Sequence, residues 1–195
     1  MPCSPPRLAT WLAATALCLP LSGRAWAEVS ESVQYRYYTA SPDPGITLTD
    51  RLIKASPLRE SGQVLLGHTR WQVRWNLKWH RGTAGRCTLD RVQTHLQATV
   101  TLPQQDPQDT REGAQFKTLQ HALREHQKAH LRLAREAAEE IDRRLWQLPT
   151  MPTCGDLNRA ADVLGQHLLT QARQRILAYD QRTGQGRRET EILRD

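Results

Sequence analysis

Apolar and polar residues alternate along two neighbouring segments of the chain. Between residues 70 and 79 one face carries Trp71, Val73, Trp75, Leu77 and Trp79. Between residues 92 and 102 a second face carries Val92, Thr94, Leu96, Ala98, Val100 and Leu102. This period of two predicts strands with one buried face, and the glycine-bearing turn at residues 81–85 predicts that they form an antiparallel hairpin. A further strand at residues 32–39 and a short helix at 47–55 are expected before them.

The pattern changes to steps of three and four after Pro103 and Pro107. A capping box at Asp109 and Glu112 begins a long amphipathic helix, which Pro149 ends. A second helix is expected from about residue 156 to the glycines at 184 and 186. A strand-rich half followed by two helices predicts an α+β fold, in which an N-terminal antiparallel sheet packs against the long helix and a second, C-terminal helix.

The first 27 residues have the features of a signal peptide. Arg7 precedes a short apolar run, Leu12 to Leu21, and Ala25-Trp26-Ala27 fits the small-residue cleavage site. The run is shorter than the roughly 20 apolar residues that a membrane span needs. We therefore expect three parts: a signal peptide at 1–27, a single domain at 28–186 and a charged flexible tail at 187–195. The protein should be periplasmic or secreted, with no transmembrane segment after cleavage.

Two cysteines, Cys87 and Cys154, remain after the signal is removed, and in an exported chain they most simply form one disulfide. The formal net charge of +7 falls to +5 when Arg7 and Arg24 are removed with the signal. The remaining basic residues are scattered, and in the predicted hairpin they lie on the face opposite the aromatic residues. No nucleic-acid partner is therefore expected. An envelope protein or peptide is the expected partner, and the oligomeric state stays open.

Two histidines interrupt the apolar stripe of the long helix. Continuing the spacing between Leu123 and Leu133 leads to His126 and His130, so both imidazoles should point inward from one face. Two histidines one turn apart on a helix can present two nitrogens to one zinc ion. They can equally be core histidines that are hydrogen-bonded to neighbours, and spacing alone leaves both interpretations open.

The order of several short motifs adds to this picture. Gly67-His68-Thr69 precedes the aromatic strand, His126-Gln127-Lys128-Ala129-His130 lies on the long helix, and Tyr179-Asp180-x-x-Thr183-x-x-Gly186 closes the second helix. In this order the chain resembles a bacterial family of secreted proteases inferred to be zinc-dependent, otherwise a domain of unknown function, over residues 33–186. The family's protease assignment itself rests on its H-E-x-x-H pattern. The resemblance implies a zincin-like helix packed on a sheet, secretion, and a bridge between Cys87 and Cys154.

The chain departs from the family's pattern at two positions. Gln127 stands where H-E-x-x-H enzymes have the glutamate that acts as general base, and an amide cannot accept a proton near neutral pH. Gln185 stands where the family offers a histidine that would serve as a third ligand, so zinc should be weakly bound or absent. His167 on the second helix is the best replacement ligand. Less favoured candidates are Glu136, Glu140 and His68.

Three functions follow as hypotheses. The first is an exported, catalytically impaired member of the protease family that acts as an envelope binding or scaffolding protein. The second is an active secreted zinc metallopeptidase with a different base or third ligand. In the third, His126 and His130 are core residues only and the protein has an unrelated interaction role. Whether the protein is an enzyme is not decided by the sequence.

Overall fold

A computed structural model describes residues 29–43, 45–60, 62–106 and 113–184. Four sequence predictions fall outside these ranges: the signal peptide, the capping box at Asp109 and Glu112, the lost ligand position at Gln185, and the charged tail. Within them the α+β prediction is confirmed. The strands are β1 (Val29–Thr39), β2 (Arg59–Glu60), β3 (Gln63–Val64), β4 (His68–Arg81) and β5 (Cys87–Gln104). The helices are α1 (Leu48–Ala55), α2 (Gly113–Trp146) and α3 (Cys154–Thr183).

The main sheet has three strands in the order β1-β5-β4. As expected, β4 and β5 form an antiparallel hairpin, joined by a short 3₁₀ turn at Thr83–Gly85. β1, however, runs parallel to β5, with Val29 opposite Thr94. The sheet is therefore mixed, which corrects the expectation that it is antiparallel throughout. The chain passes from β1 through α1 and the small β2–β3 hairpin to β4 at the opposite edge of the sheet. β5 then returns between the two edge strands, so it is antiparallel to β4 and parallel to β1.

The predicted alternation describes most of the hairpin. All six positions on the apolar face of β5 are buried, and on β4 Val73 is buried while Trp71, Trp75 and Leu77 are partly buried. Trp79 differs, because it is 40% exposed. The register of β4 against β5 shifts between Lys78 and Trp79, so the strand beyond this point no longer follows the regular ladder.

α2 covers the buried face of the sheet, and α3 packs beside it. Ala134, Ala138 and Ile141 of α2 join Leu96 of β5 in one core cluster. A polar residue interrupts this core: Asp142 is fully buried, and it lies against Thr94 of β5. Burial raises the pKa of the Asp142 carboxyl, and the nearby Thr94 hydroxyl has a smaller, opposite effect.

The ends of α3 are fixed by local chemistry. The Thr153 hydroxyl accepts a hydrogen bond from the Asp156 backbone N–H, which caps the N-terminus. Gly184 ends the helix in the left-handed conformation that glycine adopts without strain. At the N-terminal end Cys154 forms the predicted disulfide with Cys87 at the start of β5.

In the described part of the chain, no helix has the length and apolar character needed to cross a membrane.

Candidate metal centre

The two histidines of α2 point inward, as the helical spacing predicted. His126 is 3% exposed and His130 is 7% exposed. They lie one turn apart, and their ring centroids are 4.7 Å from each other. Because their positions continue the apolar stripe, the packing of α2 holds both rings in place on its buried side.

A carboxylate from α3 meets the two imidazoles. Asp180 Oδ1 lies 2.8 Å from His130 Nε2 and 3.2 Å from His126 Nε2. The two Nε2 atoms are 3.1 Å apart. Three potential ligand atoms, contributed by two helices, therefore form a closed triangle, and together they are a group able to hold a metal ion.

This triangle has the dimensions of one face of a metal coordination shell. With metal–ligand distances of about 2.0–2.2 Å, neighbouring ligands are separated by roughly 3.0 Å in octahedral and roughly 3.4 Å in tetrahedral geometry. A proton can be shared between only two of these atoms at a time, whereas a cation can contact all three. The arrangement is therefore chemically suited to a divalent cation held by two histidines and one carboxylate.

Tyr179 closes one side of the cluster. Its ring stacks on His126, with centroids 5.0 Å apart and planes inclined by 26°. The same ring meets His130 edge-on at 5.6 Å. Stacked and edge-to-face contacts are the preferred geometries between such rings. Tyr179 and Asp180 are consecutive on α3, so a single turn of this helix both orients the imidazoles and supplies the carboxylate.

The charge of Asp180 is maintained by its two partners. Burial alone would raise the pKa of its carboxyl. Hydrogen bonds and charge interactions with His126 and His130 together have a larger, opposite effect, and the resulting pKa is about 2. Asp180 is therefore a carboxylate throughout the physiological pH range, which is the form that binds cations.

Gln127, which follows His126 on α2, is directed toward the sheet. It is 3% exposed, and its Oε1 accepts a hydrogen bond of 2.9 Å from the Thr69 hydroxyl. Its Nε2 is close to Gly67, where an added Cβ would lie 3.3 Å from that nitrogen. Thr69 of the Gly-His-Thr motif thus contacts the Gln127 side chain directly, and Gly67 leaves the space that this side chain needs.

The other candidate ligands take different positions. His167 is exposed on α3, and its Nε2 lies 3.1 Å from the amide nitrogen of Gln171. Glu136 and Glu140 form ion pairs with arginines of α2. His68 is half-buried, and burial lowers the pKa of its imidazole; smaller contributions come from Glu60, Arg70 and the charges of His130 and Asp180, which places it in the electrostatic neighbourhood of the cluster.

Sequence reasoning did not identify Asp180 as a candidate ligand. The signal was present, because Tyr179-Asp180 is part of the closing motif and Tyr179 lies on the apolar stripe of the second helix. What one sequence could not provide was the angle and register at which α3 packs on α2, and these bring position 180 next to position 130.

Residues 35–186 match the family described as "Bacterial protein of unknown function (DUF922)". The chain belongs to this family. The match covers most of the chain, including all three residues of the cluster and both cysteines. DUF922 is the family whose motif order the sequence resembles, and its description assigns neither an activity nor a metal. Comparisons with curated proteins and with solved structures found no match.

Proposed function

We propose that this DUF922 protein binds one zinc ion at His126, His130 and Asp180, and that it acts outside the cytoplasm as a binding or scaffolding protein rather than as a protease. The observation that carries the proposal is the convergence of three ligand atoms, all within 3.2 Å of one another. Two imidazoles and a carboxylate are a ligand set of zinc sites that keep a fourth position open.

The chain's own residues account for the binding step. Packing of α2 sets the spacing of the two imidazoles, Tyr179 restricts rotation of both rings, and Asp180 contributes the negative charge. A bound zinc ion would supply Lewis acidity at its open position. Proteolysis also requires a group that removes a proton from water at this position.

The amide of Gln127 argues against that proteolytic step. It has no basic site near neutral pH, and it is buried and hydrogen-bonded to Thr69. General-base catalysis contributes about 10²–10⁴-fold to rates, so its loss would leave a metal centre with little peptidase activity. The proposed role of the ion is then structural, because it joins α2 to the last turns of α3.

A location in the periplasm or outside the cell is part of the proposal. The disulfide between Cys87 and Cys154 supports it, because such bonds persist in oxidising compartments. The signal-like segment at residues 1–27 supports it independently.

Metal analysis tests the zinc proposal directly. The protein, purified without chelator and dialysed, should contain about one zinc per chain by elemental analysis, and Asp180→Asn should contain much less. Glu136→Gln is a matched control, since it neutralises a carboxylate outside the cluster, and it should keep the metal. A wild-type protein that contains no zinc and gives no heat on titration with zinc would refute the proposal.

An active zinc metallopeptidase remains the second candidate, and one observation favours it. Asp180 offers the third ligand that the Gln185 departure had placed in doubt. If only the base is missing, Gln127→Glu alone should produce chelator-sensitive cleavage of casein, whereas the control Gln171→Glu should not. Chelator-sensitive cleavage by the unaltered protein would support this candidate and contradict the scaffolding role.

A further inference from the structure

A groove lies between β1 and α2, with a cavity of about 250 Å³. Its floor is formed by Val100 and Leu102 of β5. Tyr35 and Tyr37 line the β1 side, and Arg124 and Lys128 line the helix side, with Gln127 between helix and floor. These residues combine an apolar base with a rim of hydroxyl groups and positive charges.

The rim residues of this groove are accessible. Tyr35 is 51% exposed and Tyr37 is 47% exposed, although they are large aromatic side chains next to a buried core. Lys128 Nζ lies 2.6 Å from Glu125 Oε1 on the same helix, so the positive charge of Lys128 is partly balanced. Arg124 makes no ion pair with any described residue. A positive charge is therefore available at the groove.

The strand beside the groove has an open edge. β1 pairs with β5 on one side, and no described strand pairs with its outer side. Its eleven residues are mostly exposed. The outer edge of such a strand can accept another extended chain through backbone hydrogen bonds, while neighbouring pockets select its side chains.

We propose that the outer edge of β1 binds an extended peptide as an added strand, with an acidic side chain of the peptide placed between Arg124 and Lys128. This names a partner class for the binding role given above, and in that respect it rests on the proposed function. The zinc ion has no part in it.

The size and charge of the groove favour this occupant. About 250 Å³ is below the 300–1,000 Å³ typical of pockets for whole small molecules, and it suits one or two side chains. Two cations and two phenol groups complement a carboxylate. At about 100° per residue, positions 124 and 128 lie on the flank of α2 opposite positions 126 and 130, so the groove can be altered without touching the metal ligands.

Fluorescence anisotropy with the full mature chain tests the proposal. The probe is the fluorescein-labelled peptide Ser-Thr-Glu-Val-Glu-Val-Thr-Ser, compared with the same peptide carrying Gln at both Glu positions. We expect saturable binding of the acidic peptide below about 1 mM and at least about tenfold weaker binding of the Gln peptide. Arg124→Gln with Lys128→Gln should cause a similar loss. The control Arg159→Gln with Arg173→Gln removes two positive charges from α3, and it should keep the affinity.

Backbone methylation tests the added strand. Only alternate amides of an added strand face β1, so of two peptides N-methylated at odd or at even amides, one should bind and the other should not. The proposal would be overturned if the two methylated peptides bound equally well, if the Gln peptide bound as well as the acidic peptide, or if the acidic peptide did not bind. So would a dimer in sedimentation analysis that is lost when Tyr35 and Tyr37 are replaced by Ser, because the edge would then be occupied by a second copy. Zinc content is measured on the same variants, and it should not change, which separates this result from that of the zinc proposal.

Discussion

Replacing Gly165 by alanine should destabilise the contact between α3 and the sheet. A Cβ at this position would lie 2.5 Å from both Cη2 and Cζ2 of Trp75. Favourable carbon–carbon contacts are about 3.5–4.0 Å long, so one of the two elements must move by about 1 Å. The indole cannot tilt without cost, because its Nε1 donates a 3.1 Å hydrogen bond to Asp162 on α3.

The expected change in the free energy of unfolding combines two destabilising contributions and one stabilising contribution. Overpacking of this kind costs about 1–3 kcal/mol, and weakening the hydrogen bond adds about 1 kcal/mol. Alanine is favoured over glycine inside a helix by about 1 kcal/mol, which offsets part of this loss. We therefore expect Gly165→Ala to lower the free energy of unfolding by about 1–3 kcal/mol, and to lower Tm by about 2–12 °C for a domain of this size.

Urea and thermal unfolding followed by circular dichroism measure this change. Gly155→Ala on the same helix is the matched control, since its new Cβ would meet only the Thr153 hydroxyl oxygen at 3.6 Å and should cost nothing. In a Trp75→Phe protein, Gly165→Ala should lower the free energy of unfolding by less than it does in the wild type, because the smaller ring leaves room for the methyl group. A Gly165→Ala protein as stable as the wild type, or strictly additive effects in the double variant, would refute the steric argument.

Three further predictions concern the core, the disulfide and the metal ligand. Asp142→Leu with Thr94→Val should stabilise the protein by about 1–3 kcal/mol at pH 7, because it removes a buried carboxyl. Since burial raises the folded-state pKa of Asp142 above its ordinary 3.8, its contribution is most favourable below pH 3.8 and declines as pH rises, so urea midpoints should show a smaller gain at pH 4 than at pH 7. Cys87→Ser with Cys154→Ser opens a 67-residue loop and should cost about 4 kcal/mol in urea unfolding; an unchanged midpoint would contradict this. Asp180→Asn should weaken zinc binding at least about 100-fold in calorimetry, and a change under tenfold would exclude Asp180 as a ligand.

The sequence allowed the elements to be predicted well, because each has a local cause. The alternation around Val73 and Leu96 indicated the hairpin, and Gly184 correctly marked the end of α3. Pairing across the sheet was harder: nothing in residues 29–39 indicates whether they pair with β4 or with β5, or in which direction. That choice depends on long-range packing, and it produced the parallel β1.

The geometry of the candidate site was predicted in part for the same reason. His126 and His130 lie on one helix, so their relation follows from helix geometry alone. The position of Asp180 depends on how two helices pack, and a single sequence does not contain that angle. The buried Asp142 was also missed, because an aspartate on an amphipathic helix is normally exposed, and its neighbour Thr94 gives only a weak polar signal.

The two ends of α3 are held in different ways, and this affects how the protein would open. At one end Cys154 is covalently attached to β5, and about 39 Å further along, at 1.5 Å per residue, Asp180 meets the histidines of α2. With a zinc ion bound, both ends of α3 would be linked to the rest of the domain. When the ion leaves, only the distal end is released, so fraying begins around Tyr179 while the cysteine end stays attached. Amide hydrogen exchange in the last turns of α3 should therefore accelerate on chelation, with little change near Leu157.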